Sequence, residues 1–317
     1  MNSTFDILGI TGPIYLAIAL GYLSTRQGVF AKADMQVFGK FTINLALPAL
    51  LFNALSQRSV GEILNAHYLL AYALGSMVVI LGGLFWARQV KGHGLSYSSM
   101  MAMGMSCPNS GFVGYPIMLL TFGPVAGVAL ALNMVVENML LIPFLLAVAD
   151  SDGGRPGQWK QVLWQTLKNL VMNPMIWGIV GGFLFSLSGW TLPAPLGRTV
   201  NLFAQASAAL SLFVIGGSLV GLQAKGLKGP VTQIVLGKLL VHPLVMWGVL
   251  VWLVPVADPA LRSAALLTGA LPMLGIYTIL SQRHGHGAIS AATLLVTTVV
   301  SFFTLSGLLW VLQHHAF

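Results

Sequence analysis

Cys107-Pro108-Asn109-Ser110-Gly111-Phe112-Val113-Gly114-Tyr115-Pro116 is the stretch whose reading decides the fold. It lies in the middle of an apolar run, Leu95 to Phe122, that is long enough to cross a bilayer. Proline removes a backbone donor and glycine weakens a helix, so two of each within nine residues predict a break at membrane depth. Lipid cannot satisfy the freed N–H and C=O groups, and such a break survives only where it is packed in protein or lines a watery cavity. The segment therefore reads as two half-helices joined by unwound backbone, with the break as a candidate binding site. A second run, Leu261 to Gln282, carries Gly269-Ala270-Leu271-Pro272-Met273-Leu274-Gly275 at its centre. Paired interrupted segments in corresponding positions of two halves point to a transporter site.

The composition sets the class. Of 317 residues, 56% are hydrophobic and 7% charged, against roughly 25% charged in a soluble domain, so the chain is an all-α polytopic membrane protein. Its formal charge is +8, but the basic residues sit singly in short loops, which membrane topology explains without nucleic acid as a partner. Cys107 is the one cysteine; it excludes an intramolecular disulfide, and its neighbours lack metal-ligand spacing, so no metal or other cofactor is expected. The first apolar run follows Met1-Asn2-Ser3-Thr4-Phe5-Asp6 without a positive leader, which predicts a retained first helix rather than a cleaved signal peptide.

At about 20 apolar residues per span, ten crossings are predicted, at 7–25, 35–55, 66–88, 96–122 and 124–148, then 167–188, 197–222, 229–254, 260–282 and 288–312. Between the fives lies the hydrophilic link Asp150 to Lys160. The expected organisation is a first repeat over 1–149, a cytoplasmic linker over 150–166 and a second repeat over 167–317. An odd number of spans per unit makes the two copies insert with opposite orientation, as an inverted repeat. The internal similarity is thin; Leu45-Ala46-Leu47-Pro48-Ala49-Leu50-Leu51-Phe52 pairs best with Ser207-Ala208-Ala209-Leu210-Ser211-Leu212-Phe213. Of fifteen Lys and Arg, ten fall in the loops on one side, Arg58, Arg198 and Arg262 on the other, and Lys40 and Lys238 within spans. That split predicts both termini on the periplasmic side of a bacterial inner membrane.

Several polar residues fall within the spans. Glu137 is the only acidic residue inside one, with Asn133 four residues before it on the same face. A carboxylate at membrane depth must face the protein interior, as a coupling or substrate-adjacent group or as a structural hydrogen-bonding partner. Lys238 and His242 share a face of the eighth span and suit either an anionic substrate or a salt bridge from Lys238 to Glu137. Lys40 precedes Asn44 by one turn and sits near the cytoplasmic end, where snorkelling is the default. A half-helix starting at Asn109 and Ser110 would aim free N–H groups at the cavity, an arrangement that binds carboxylates; alternatively these side chains satisfy the broken backbone. Gly178 with Gly182, and Gly217 with Gly221, have the spacing of a packing or dimer face. No His-Glu-x-x-His, Gly-x-Ser-x-Gly or nucleotide loop occurs. A membrane receptor and an intramembrane hydrolase are the competing classes.

The runs Phe38-Gly39-Lys40-Phe41-Thr42-Ile43-Asn44-Leu45-Ala46-Leu47-Pro48, Asn109-Ser110-Gly111-Phe112-Val113-Gly114-Tyr115-Pro116, Asn173-Pro174 and Gly269-Ala270-Leu271-Pro272 resemble the bacterial members of the auxin efflux carrier family. The resemblance covers essentially the whole chain. It implies ten helices in two inverted repeats with broken helices four and nine crossing, similar to sodium/proton antiporters. It also implies a scaffold of helices one, two, six and seven, often dimeric, and a moving transport domain made of the rest. The implied activity is secondary transport of a small organic anion, malonate or a related dicarboxylate, with a proton or sodium as coupling ion. The implied substrate-facing residues are Pro108, Asn109, Ser110, Gly111, Pro272, Met273, Asn44 and Lys238, with Glu137, Asn133 and His242 in support. His242 and Glu137 depart from the family's usual pattern.

Overall fold

The computed structural model describes residues 3–151, 164, 167–168, 170–222 and 228–314, and these are helical throughout their regular structure. The helices are α1 (Ser3–Arg26), α2 (Lys32–Ser56), α3 (Ala66–Val90), α4 (Leu95–Ser106), α5 (Ser110–Phe122) and α6 (Val125–Asp150). After the link come α7 (Pro174–Ser188), α8 (Ala194–Ser218), α9 (Gly229–Leu253), α10 (Pro259–Ala270), α11 (Tyr277–Arg283) and α12 (Gly287–His314). Among the described residues, six of these, α2, α3, α6, α8, α9 and α12, are long and apolar enough to cross a membrane, and α5 and α7 are shorter apolar helices. Most of the Asp150 to Lys160 link, with Arg155, Lys160 and Lys225, lies outside the described residues.

Local chemistry fixes where several helices start. Asn173 Oδ1 accepts the Met175 N–H at 3.0 Å with Pro174 at the first helical position of α7. Asp258 Oδ1 accepts from Ala260 and Leu261 N–H ahead of Pro259 in α10. Both are side-chain caps followed by a proline whose missing N–H would have had no partner anyway.

Prolines inside the long helices leave a repeated mark. Thr42–Ala46, Ser110–Gly114, Glu137–Leu141 and Gly237–Val241 are π-helical turns, each ending two residues before a proline: Pro48, Pro116, Pro143 and Pro243. A proline ring clashes with the carbonyl four residues back, here Asn44, Phe112, Met139 or Leu239, and the widened turn moves that carbonyl aside without ending the helix. Longer-reach bonds such as His242 N–H to Gly237 O and Ile142 N–H to Glu137 O replace the ordinary ones. Glu137 and Lys238 thus both sit in widened turns.

The chain divides into two units. Unit 1 comprises Met1–Ala66, Ser110–Met134 and Val171–Gly221, and unit 2 comprises His67–Asn109, Val135–Leu170 and Leu222–Phe317. Within unit 1, α1 packs on α8 and α7 on α2. A Cβ at Gly178 would meet Pro48 O at 2.5 Å, and one at Gly182 would meet Phe52 O at 2.8 Å. This glycine pair therefore seats α7 on α2 of the same protomer, which corrects its reading as a dimer face. Gly217 faces Met35 and Thr25, whereas Gly221 adopts φ +78°, so the second pair is one packing glycine and one turn glycine.

Candidate functional site

The two interrupted segments meet inside unit 2. Asn109 N–H donates to Pro272 O at 2.8 Å, Leu274 N–H donates to Cys107 O at 3.1 Å, and Pro108 and Met273 form an isolated antiparallel bridge. Cys107, Pro108, Asn109, Leu271, Pro272, Met273 and Leu274 are all buried. Each break therefore supplies backbone partners that the other lacks, which is how unwound chain is tolerated away from water. The expectation that free N–H groups point outward from Asn109 is corrected in one respect: its N–H is already taken by Pro272 O.

Lys238 lies against one of the four breaking ends. Its Nζ donates to Gly269 O at 2.9 Å, in the last turn of α10, where helix carbonyls have no partner of their own. The ammonium thus caps the negative end of α10, a placement favoured by the helix dipole. Nζ is also 2.9 Å from His242 Nδ1, and His242 Nε2 is 3.2 Å from Ser76 Oγ. With Lys238 donating to Nδ1, the imidazole is neutral and carries its hydrogen on Nε2, toward Ser76. Lys238, His242 and Ser76 are completely buried. Four residues before Ser76 on α3, Tyr72 donates its hydroxyl to Glu137 Oε1 at 2.9 Å, and both of those groups are buried too. The salt bridge from Lys238 to Glu137 is corrected accordingly: the polar partners of Lys238 among the described residues are Gly269 O and His242, while a phenol occupies Glu137 Oε1. The spacing that put Lys238 and His242 on one helix face made them each other's partner.

Over residues 11–309 the sequence matches the family described as Membrane transport protein. The chain belongs to that family. A protein of Rhizobium meliloti (strain 1021) named "Putative malonate transporter" is 29% identical over 317 residues, covering 98% of this chain and 97% of its own length. The "Uncharacterized transporter YfdV" of Escherichia coli (strain K12) is 29% identical over 210 residues, covering 64% of this chain and 66% of its own length. "Auxin efflux carrier component 2" of Arabidopsis thaliana is 22% identical over 152 residues, 48% of this chain and 23% of that longer protein. The resemblance to auxin efflux carriers thus holds, and this is a multi-pass membrane transport protein, not an enzyme.

The remaining site residues of this transport protein are distributed as follows. Ser110 and Gly111 open α5 and are buried in unit 1, where a Cβ at Gly111 would meet Leu47 Cδ1 at 3.2 Å. Asn133 is buried on α6, one turn before Glu137. Asn44 is exposed, and its Nδ2 donates to Lys40 O at 2.7 Å, so its amide is spent on its own helix. Sequence reasoning passed over Tyr72 and Ser76, which hold Glu137 and His242. It also passed over a cavity in unit 1 that receives two amide pairs at four-residue spacing, Asn53 with Gln57 and Asn201 with Gln205. The signal for the first group was a Tyr-x-x-x-Ser spacing in an apolar helix, and for the second the same Asn-x-x-x-Gln written in both halves.

Proposed function

We propose that this protein is a secondary transporter of small organic anions, carboxylates of the malonate class, across a bacterial inner membrane by alternating access. The observation that carries the reading is the buried Lys238, tied to the last turn of α10 beside Pro272. Two helix N-termini and two C-termini come together where segments are interrupted, and their partial charges offset one another to first order. The ammonium of Lys238, whose partners are neutral, is then the positive charge in excess, which favours an anion at Pro108, Asn109, Pro272 and Met273. Ser110 and Gly111 follow in the first turn of α5, and Glu137, Asn133 and His242 support the coupling step. The coupling ion is a proton or sodium.

In this reading ten spans form two inverted repeats, with α4 and α5 as one interrupted crossing and α10 and α11 as the other. Both termini are periplasmic, and the protein works as a homodimer. Unit 2, with both interruptions and the Lys238 and Glu137 pairs, is the moving part of an elevator, and unit 1 is the scaffold. Malonate is chosen as the first probe because a relative similar over its whole length is named for it.

Purified protein in liposomes tests the function, with uptake of labelled malonate and other carboxylates measured with and without proton and sodium gradients. Pro108→Ala and Pro272→Ala heal the breaks with a good helix former, so both proteins insert and both lose most uptake. Normal uptake by both variants would overturn the placement of the site, and no uptake of any carboxylate by the wild type would overturn the substrate class.

A further inference from the structure

Unit 1 contains a cavity of about 450 Å³, within the roughly 300–1,000 Å³ of small-ligand sites. Asn53, Gln57 and Arg58 reach it from the end of α2, Tyr115 from α5, and Asn201 and Gln205 from α8. We propose that this cavity is an antechamber that binds the carboxylate of a small organic anion before or after it visits the interrupted segments. The inference rests on the anion reading above for the identity of its ligand.

Charge and donor geometry carry the proposal. None of the residues lining the cavity is acidic, and Arg58 is the one cation among them. The negative end of α2, which stops at Ser56, and the positive end of α6, whose first turn contributes Pro124 and Gly127, both border the cavity. Those two ends offset one another to first order, leaving the guanidinium to set the sign. Gln57 Nε2 donates to Asn53 Oδ1 at 2.7 Å, so the Asn53 oxygen is occupied and its NH₂ remains a donor. Arg58 is anchored through its backbone, whose N–H donates to Leu55 O at 3.1 Å and whose carbonyl accepts the Ser186 hydroxyl. A Cβ at Gly127 would collide with Ala54, so α6 closes tightly on α2 beside the cavity. A fork of fixed N–H donors surrounded by amide NH₂ groups matches a carboxylate, which can accept from arginine with both oxygens. The arrangement is built from the same Asn-x-x-x-Gln on α2 and α8, and every lining residue belongs to unit 1, whereas Lys238, Pro108 and Pro272 belong to unit 2.

That separation makes the proposal testable on purified full-length protein. The thermal midpoint is followed in detergent during titration with acetate, malonate, succinate and citrate. Wild type is compared with Arg58→Gln, Arg58→Lys, Gln205→Leu and Pro108→Ala, each first checked for monodisperse elution. At least one carboxylate is expected to stabilise the wild type. Arg58→Gln should raise its half-saturating concentration at least tenfold and Gln205→Leu at least threefold. Arg58→Lys, which keeps the charge and loses the fork, should fall between wild type and Arg58→Gln, and Pro108→Ala should stay within threefold of wild type. Gln205→Leu and Arg58→Lys decide the matter if Arg58→Gln does not fold. The proposal is overturned if no carboxylate stabilises the wild type, if the Arg58 and Gln205 variants bind like it, or if Pro108→Ala abolishes binding as well. Intact carboxylate binding with no malonate uptake would count against the transport reading and leave the antechamber standing.

Discussion

Replacing Lys238 by methionine keeps the length and apolar bulk of the side chain and deletes only the ammonium. Gly269 O and His242 Nδ1 then lose their donor in a fully buried place. Each orphaned acceptor costs about 1–3 kcal/mol, so two cost about 2–6 kcal/mol. Against this, the desolvation penalty of a buried charge is relieved, which amounts to several kcal/mol for an ion in a protein interior. The ammonium is well hydrogen-bonded, so the first effect wins and a net loss of about 2–4 kcal/mol is expected. Adding His242→Leu to Lys238→Met removes one of the orphans, so the pair should be less than additive by about 1–3 kcal/mol. Adding Glu137→Gln instead keeps the oxygen that accepts from Tyr72, and its coupling to Lys238→Met should be less than half as large. The assay is equilibrium unfolding of the purified wild type, the three single variants and the two double variants in mixed micelles. Additivity between Lys238 and His242 within about 0.5 kcal/mol, together with larger coupling between Lys238 and Glu137, would refute the assignment and restore the salt bridge.

Other outcomes follow from the same contacts. Gly178→Leu drives a side chain into Pro48 O and forces α7 off α2, which should cost at least about 1–3 kcal/mol and lower the thermal midpoint without changing the oligomeric state; a change of oligomer with an unchanged midpoint would return this glycine to a dimer face. Tyr72→Phe leaves Glu137 Oε1 without its phenol, so unfolding should become easier by about 1–3 kcal/mol, and combining it with Glu137→Leu should recover much of the loss. Reporter fusions at Phe317 and near Gly154 should signal from the periplasm and the cytoplasm respectively, and a cytoplasmic signal from the C-terminal fusion would defeat the ten-span topology.

Much of this arrangement was legible because two different signals coincide at the same residues. Proline and glycine inside the apolar runs marked 107–116 and 269–275 as breaks, and bridging of Pro108 to Met273 occurs there. Four-residue spacing put Lys238 beside His242, and that contact is direct. What the sequence pattern could not carry is which helix faces which. Lys238 and Glu137 attracted one another on paper because they were the two deeply placed charges, but partner choice depends on the turn at Gly269 and on Tyr72, both remote in sequence. Asn44 illustrates the opposite error: one turn after Lys40, its amide returns to that residue's carbonyl, an option open to any short polar side chain in a helix. The π-helical turns were legible in principle, since each is dictated by a proline two residues beyond it.

The mutual bonding of the breaks constrains how such a protein moves. Pulling the two interrupted segments apart would orphan the N–H groups of Asn109 and Leu274 and the carbonyls of Pro272 and Cys107. At about 1–3 kcal/mol for each of four buried groups, the cost is about 4–12 kcal/mol. A substrate bound with a dissociation constant between about 1 mM and 1 μM supplies about 4–8 kcal/mol in all, and only the part that differs between two conformations can drive a change. Opening the break on every cycle would consume all of that and more. The cheaper cycle keeps Pro108 and Met273 bridged and carries the paired segments together with Lys238 and its cap on Gly269. That argument favours motion of unit 2 as one body over a hinge within it, and cross-linking Cys107 to a cysteine introduced at Leu274 is the direct check. A cross-linked protein that still transports supports the single body, and one that binds carboxylate but no longer transports requires the hinge.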